Sequence, residues 1–330
     1  MSMHKLTAAF TLVLGLGLGT AAAASPGNLY VFGDSLSDNG NLYAATGGAV
    51  PTPNYPGNGG ATNGPVWVDY FAAAHPGIAV SDRAIVGAYS GLYNTPGFGV
   101  SDNSLDSTLN AVPVVGSLLA TAAYGLGTEV LTAPVVTGTN AAAVLWIGAN
   151  DILSAQDNGF ATPADVVPTA LSNVNVVLGY MRTTLGFADV YIANLPDIGR
   201  TPRANVLGLQ NEYSQAVNDF NLGLSNIVSG GGAGIHLVDV YTAFNFVLAN
   251  PAAFGITNTT DGCISGATDP NLCSDLGAQR VYWDDVHPTT LVHGIIAGAF
   301  QNAIVPVPVP AAFPLLGSAL LLLLRIKRAA

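Results

Sequence analysis

The sequence predicts an α/β fold in which a parallel sheet of about five strands is covered by helices on both faces. Short apolar runs recur along the chain, and helical stretches lie between them. Strands that are apolar at nearly every position are typical of parallel sheets with two covered faces. Because no internal repeat or linker interrupts these runs, we expect one large domain.

The apolar runs define the predicted strands, and two of the helices between them have clear signals. A helix is predicted over residues 65–74, with a proline in its first turn, where proline is favoured. The stretch 211–230 repeats apolar residues every three or four positions, which indicates an amphipathic helix. The predicted strands, in chain order, are residues 28–32, 77–82, 141–148, 188–196 and 234–240.

Asp34 and Ser35 directly follow the first predicted strand, in the stretch "VFGDSLSDNGN". Two interpretations are open, because serine and aspartate are common helix N-caps and serine is also a catalytic nucleophile. Parallel sheets bind their ligands beyond the carboxyl ends of the strands, and Ser35 lies at such an end. This position favours the nucleophile.

A serine nucleophile needs a general base and an acid that orients this base. His287 lies three residues after Asp284, a spacing that lets the carboxylate reach the imidazole Nδ1. Asp285 is the alternative orienting residue, at a less suitable spacing, and Pro288 is expected to start a helix. The other histidines between residues 25 and 304 are interpreted as structural, at the surface and facing solvent: His236, His75 and His293, respectively.

Two residues that follow other strands are candidates for stabilising an oxyanion. The side-chain amide of Asn150 can donate a hydrogen bond to an oxyanion. The alternative interpretation is that the stretch "WIGAND" is only an ordinary cap between a strand and a loop. Gly87 lets a backbone N–H approach a substrate closely, although a plain turn would also use glycine there. Taken one at a time, both residues leave both interpretations open.

Together these blocks resemble the GDSL (SGNH) family of serine hydrolases. The resemblance rests on "GDSLSD" at 33–38, "GAND" at 148–151 and "DDVHP" at 284–288, in that order along the chain. The second block departs from the usual family form, because the chain carries Asp82 and Val86-Gly87 there. Two further stretches, residues 63–72 and 194–202, are similar to the lipase and esterase branch.

The resemblance implies a three-layer α/β/α sandwich and a serine hydrolase, and no cofactor or metal is expected, because the sequence contains no cluster of metal ligands. It implies Ser35 as nucleophile, His287 as base and Asp284 as the orienting acid. It also implies an oxyanion hole formed by the N–H groups of Ser35 and Gly87 and by the side chain of Asn150.

Residues 1–24 have the form of a secretory signal peptide, which predicts export. Lys5 supplies the positive charge, residues 12–18 are the apolar region, and residues 21–24 are alanines before the expected cleavage site. The hydrolase domain is therefore predicted to span residues 25–304.

The C-terminal segment, residues 305–330, is also unusual. Val-Pro repeats read as an extended linker, and the apolar run 311–324 is shorter than the roughly 20 residues of a spanning helix. In its Val-Pro-x-Pro-Ala start, apolar stretch and basic end, the segment resembles bacterial sorting signals of the PEP-CTERM type, although the acidic residue of the commonest form is missing. The resemblance implies transient anchoring in the inner membrane, removal of the tail by a sorting peptidase, and a protein outside a Gram-negative-type cell or on its surface.

The predicted domain is strongly acidic. It contains all 20 acidic residues of the chain and five arginines, which gives a net charge of −15. Such a surface repels phosphate backbones, so nucleic acid is not an expected partner. Cys263 and Cys273 are the only cysteines, and in an exported protein they are predicted to form a disulfide. We expect no metal site at these cysteines, because no other cysteine or histidine is near them.

The sequence thus predicts an exported hydrolase of carboxylic esters, an esterase or lipase that works through an acyl-enzyme. The first alternative is an O-deacetylase of surface polysaccharide, which would have a small acyl pocket instead of a long apolar cleft. The second alternative is a non-catalytic surface or matrix module on the same fold.

Overall fold

Five strands form the central sheet of the computed structural model, which describes residues 25–49, 54–56, 59–91, 126–137, 140–265 and 272–305. Each of the five runs predicted as strands contains one strand of the structure. Four strands lie within their predicted runs, and the first extends one residue beyond its run, to Gly33. The strands are β1 (Asn28–Gly33), β2 (Ala79–Asp82), β3 (Ala141–Trp146), β4 (Asp189–Ala193) and β5 (Ile235–Val238).

All strands pair in parallel, in the order β2-β1-β3-β4-β5, which confirms the predicted sheet. β3 lies at the centre, and all six of its residues are buried, because neighbouring strands and helices cover both of its faces. The chain moves from β1 outward to β2 and then returns to β3 on the other side of β1. The carboxyl ends of β1 and β3 therefore lie side by side at the switch point where such sheets bind ligands, with Gly33 opposite Trp146.

Helices surround this sheet in two groups. α2 and α8 pack against α9, and α5 packs against α7. Trp67 of α2 stacks on Phe300 of α9 with ring centroids 3.6 Å apart, and Phe300 also contacts Trp146 at the end of β3. The described helices are α1 (Asn41–Ala45), α2 (Trp67–Ala74), α3 (Leu126–Leu131), α4 (Ala149–Leu153), α5 (Val167–Thr183), α6 (Pro202–Leu207), α7 (Gln210–Gly230), α8 (Val240–Ala249) and α9 (Thr290–Ile304).

Two expectations about the last helix are wrong. The helix begins at Thr290 and not at Pro288, because Pro288 still pairs with Tyr282 in an antiparallel bridge. His293 does not face solvent, since only 1% of its surface is exposed. It lies one turn before Ile296 and Ala297 on the buried face of α9, the face that packs against α2 and β5.

Residues Ser25–Val305 form one compact unit. The predicted signal peptide and all but the first residue of the predicted tail lie outside the described residues, so the domain boundaries at 24 and 304 stay predictions. Within the described residues, no helix combines the length and the apolar character that crossing a bilayer requires.

Candidate active site

Ser35 lies in a tight turn immediately after β1. The carbonyl of Asp34 accepts the N–H groups of Ser37 and Asp38, both at 3.0 Å, and the Asp34 carboxylate accepts the N–H of Leu36 at 3.0 Å. Gly33 comes so close to the backbone carbonyl of Trp146 that any Cβ would collide with it. No helix starts at Ser35, so the turn itself holds the serine at the sheet edge, whereas Asp38 of the same stretch accepts N–H groups at the start of α1.

Ser35, His287 and Asp284 form one continuous chain of hydrogen bonds. The imidazole Nε2 lies 2.8 Å from Ser35 Oγ, and Nδ1 lies 2.7 Å from Asp284 Oδ2. All three side chains are buried. Burial alone would raise the pKa of Asp284, but the charge of His287, its hydrogen bond and backbone N–H groups hold that pKa below its usual value. This is the geometry in which an imidazole can take the serine proton.

The sequence predicts Asp284 as the residue that orients His287, with Asp285 as the less suitable alternative, and the two aspartates have different partners in the structure. Asp284 faces the imidazole, and its Oδ1 also accepts the backbone N–H groups of Val286 at 2.9 Å and His287 at 2.6 Å. Asp285 instead pairs with Arg203 of α6, whose Nε donates to Asp285 Oδ2 at 2.7 Å. Of the two aspartates, Asp284 therefore contacts the imidazole of His287, whereas Asp285 pairs with Arg203.

Asn150 reaches the same cavity as Ser35 and His287. It lies in α4 and is buried, and its Nδ2 donates to the carbonyl of Ala88 at 2.9 Å. Gly87, the residue before Ala88, has φ +82°, a left-handed conformation that favours glycine. The loop that carries Gly87 is thus next to Asn150, but Gly87 itself is not among the described residues that line the cavity.

Two buried carboxylates, those of Asp151 and Asp34, lie beside the candidate site, and the sequence did not predict their burial. Asp151 accepts the hydroxyl of Ser90 at 2.6 Å and its N–H at 3.0 Å, which ties α4 to the loop containing Ala88. Burial raises the pKa of Asp151 to about 6 and that of Asp34 to about 7, because a desolvated carboxylate loses hydration. Both carboxylates are structural neighbours of the candidate triad.

Cys263 and Cys273 form a disulfide, as the sequence predicts for an exported protein. The N–H groups of Cys263 and Ile264 both donate to the carbonyl of Trp283, at 2.8 and 2.9 Å. Trp283 directly precedes Asp284, so the disulfide loop braces the segment that carries the acid and the base.

Replacing both cysteines by serine should lower the free energy of unfolding by about 3 kcal/mol, the chain-entropy value for so short a loop. Urea unfolding of the oxidised protein and of the double variant measures this difference. The reduced wild-type protein is the control and should resemble the double variant. Equal stability of the oxidised protein and the double variant would show that the disulfide does not brace the fold.

A small cavity opens beside Ser35 and His287. Its volume is about 40 Å³, and its walls are mainly apolar. Trp146, Tyr282 and Ile296, among its lining residues, are almost fully buried, whereas Leu153 and Val286 are partly exposed. Because one water needs roughly 10–15 Å³ by this measure, the cavity that the described residues line is narrow.

The chain is similar to known ester-processing proteins. A family model described as GDSL-like lipase/acylhydrolase matches residues 29–300. Phosphatidylcholine-sterol acyltransferase of Aeromonas hydrophila is 26% identical over 87% of this chain and 94% of that protein. Esterase EstA of Pseudomonas aeruginosa is 26% identical over 90% of this chain and 50% of that protein. Among solved structures, the acetylxylan esterase Axe2 of Geobacillus stearothermophilus has a TM-score of 0.47 at 16% identity, covering 88% of this chain and 99% of Axe2.

Proposed function

Since the chain belongs to the GDSL-like lipase/acylhydrolase family and is a carboxylic ester hydrolase, we propose that Ser35, His287 and Asp284 carry out the reaction. The observation that supports this proposal most strongly is the unbroken line of hydrogen bonds from Ser35 Oγ through the imidazole to Asp284. Replacing Ser35 tests it directly.

In the first half of the proposed reaction, Ser35 Oγ attacks the ester carbonyl while His287 Nε2 takes its proton. Asp284 holds the imidazole in position and stabilises the imidazolium. Asn150 and the N–H groups of Ser35 and Gly87 stabilise the oxyanion. His287 then gives its proton to the alcohol, which leaves an acyl group on Ser35.

In the second half, a water molecule attacks the acyl-enzyme. His287 takes a proton from this water, and the proton passes to Ser35 Oγ when the carboxylic acid leaves. The serine, the histidine and the aspartate return to their starting states, so the cycle needs no further reactant.

The size of the cavity favours a short acyl group. The narrow cavity beside Ser35, with a volume of about 40 Å³, suits an acetyl group better than a long chain. This observation keeps the polysaccharide O-deacetylase as the second candidate function, because its acyl group is acetyl. Family membership favours either enzyme over a non-catalytic module.

A chain-length series tests the acyl group. The specificity constant kcat/KM for p-nitrophenyl acetate should exceed that for the palmitate ester by at least about 10-fold, because extra methylenes do not fit the cavity. Phe244 lines the cavity, so Phe244→Leu should enlarge the cavity and shift the substrate preference toward the butyrate ester. Phe246→Leu is the matched control on the same helix, since Phe246 is 57% exposed. A wild-type preference for palmitate would contradict the short-acyl proposal, and release of acetate from an acetylated oligosaccharide would favour the deacetylase.

We also propose that the protein is exported and that its tail is a sorting signal. The basic, apolar and alanine-rich order of residues 1–24 supports export, and the apolar run 311–324 with its basic end supports transient anchoring. The proposed partners are therefore the ester substrate, the inner membrane and a sorting peptidase.

Mass spectrometry of the protein from its native host tests both ends. The mature protein should lack residues 1–24 and should end near the Val-Pro repeat. In a host without a sorting peptidase, the tail should remain on the chain and the protein should fractionate with the inner membrane. A mature protein that still contains residues 320–328 would contradict the sorting proposal.

A further inference from the structure

The Asp284 carboxylate has a fourth hydrogen-bond donor, which comes from a distant part of the chain. The hydroxyl of Tyr55 donates to Asp284 Oδ2 at 2.8 Å. This is the same oxygen that faces His287 Nδ1 at 2.7 Å, whereas Oδ1 accepts two backbone N–H groups. Tyr55 and His287 therefore share one carboxylate oxygen.

Packing holds the Tyr55 ring in place. Tyr55 is 4% exposed and belongs to a small apolar cluster separate from the main core. Cys263, Ile264 and Trp283 belong to the same cluster, so Tyr55 shares its apolar surroundings with the disulfide loop that braces the Asp284 segment. The other members are Leu42, Ala61, Ile85 and Val86.

We propose that Tyr55 is a positioning residue that sets the proton affinity of His287 through Asp284. The proposal rests on the proposed function, because it assigns His287 as the base. A hydrogen bond to a carboxylate favours its charged form and draws negative charge toward the donor. Oδ2 then attracts the imidazolium less strongly, and His287 releases its proton at a lower pH than it would without Tyr55. The same bond fixes the rotation of the carboxylate toward Nδ1.

Replacing Tyr55 removes its hydroxyl but leaves the other titratable groups around His287 in place. Asp284 carries an acidic charge that acts with His287; Asp34 of the turn after β1 also acts with His287, and its pKa of about 7 means that it titrates in the same range in both proteins. His293 of α9 is the neighbouring base; burial, together with the charge of His287, lowers its pKa to about 3, so it is neutral in the assay range. A difference between two pH profiles therefore reports the change at Tyr55.

Tyr55→Phe keeps the ring and removes only the donor. We expect the acidic limb of the kcat profile to move to higher pH by up to about one unit, because the imidazolium is then held more tightly. The plateau kcat should fall by about 3- to 10-fold. KM should stay unchanged, since Tyr55 does not line the cavity beside Ser35.

Tyr70→Phe is the matched control. Its hydroxyl makes a 2.9 Å hydrogen bond with Thr290 Oγ1, which is not a triad residue. This variant should keep the wild-type midpoint, whatever happens to its melting temperature. A folded Tyr55→Phe protein with the wild-type midpoint would overturn the proposal, even if it melted at a lower temperature. Equal shifts in the two variants would overturn it as well.

Incorporating 3-fluorotyrosine at position 55 gives a second test that does not depend on Tyr55→Phe folding. This phenol is more acidic and donates a stronger hydrogen bond, so the acidic limb should move to lower pH. A shift to higher pH, or no shift, would overturn the proposal. If Ser35→Ala keeps its activity, the proposed function itself fails; if only the midpoints fail to move, the role of Tyr55 alone is wrong.

Discussion

Ser35→Ala is expected to reduce ester hydrolysis by at least about 10³-fold, because removing a triad nucleophile leaves only binding and oxyanion stabilisation. Ser35 Oγ lies 2.8 Å from His287 Nε2, within reach of the proposed base. The variant should fold normally, since the turn around Ser35 is held by Asp34 and by backbone groups. Initial rates with p-nitrophenyl acetate measure the loss.

Ser37→Ala is the control in the same turn. Ser37 is also fully buried, but its hydroxyl oxygen accepts the indole N–H of Trp67 at 3.0 Å and does not face His287. This change should lower the free energy of unfolding by about 1 kcal/mol and keep most of the activity. If folded Ser35→Ala keeps as much activity as Ser37→Ala, the serine mechanism is wrong.

Asp284→Asn is expected to lower kcat by a factor on the order of 10⁴. An amide cannot stabilise the imidazolium, and its NH₂ group can turn toward Nδ1 and hold the wrong tautomer of His287. Because Asp284 is fully buried, the lost charge is not replaced by solvent. The rate should be measured over a range of pH, so that a shift in protonation is not mistaken for a loss of the plateau rate.

Asp285→Asn, the neighbouring position, is the control for this effect. It breaks the pair with Arg203 and should cost stability, because the Arg203 side chain is only 10% exposed. The loss in kcat for Asp285→Asn should be much smaller than the loss expected for Asp284→Asn. A larger loss of kcat for Asp285→Asn than for Asp284→Asn would mean that the orienting residue has been assigned to the wrong aspartate.

Much of the fold was predictable because its signals are local. β3 is a continuous apolar run and lies buried at the centre of the sheet, and the amphipathic stretch before β5 forms α7. The ends of elements were predicted less well, since hydrogen bonds from elsewhere set them. Pro288 is an example, because its bridge to Tyr282 delays the start of α9 to Thr290.

The candidate site was likewise predictable only where its signals are local. Ser35, Asn150 and the Asp284–His287 pair were found from the sequence, because each lies beside a strand end or within a short spacing. The roles assigned to them stay predictions. The burial of His293 was missed, since polar residues on a helix are normally expected to face solvent, and only the packing of α9 shows which face is covered.

The sequence by itself determined the five apolar strands, the family to which the chain belongs, and the short segments that carry its candidate catalytic groups. These features depend on residues close together in the chain. Only the tertiary structure decided that Asp285 faces Arg203 and that Tyr55 donates to Asp284. The physical reason is distance along the chain: Tyr55 and Asp284 are 229 residues apart, so no local pattern encodes a contact that folding alone creates.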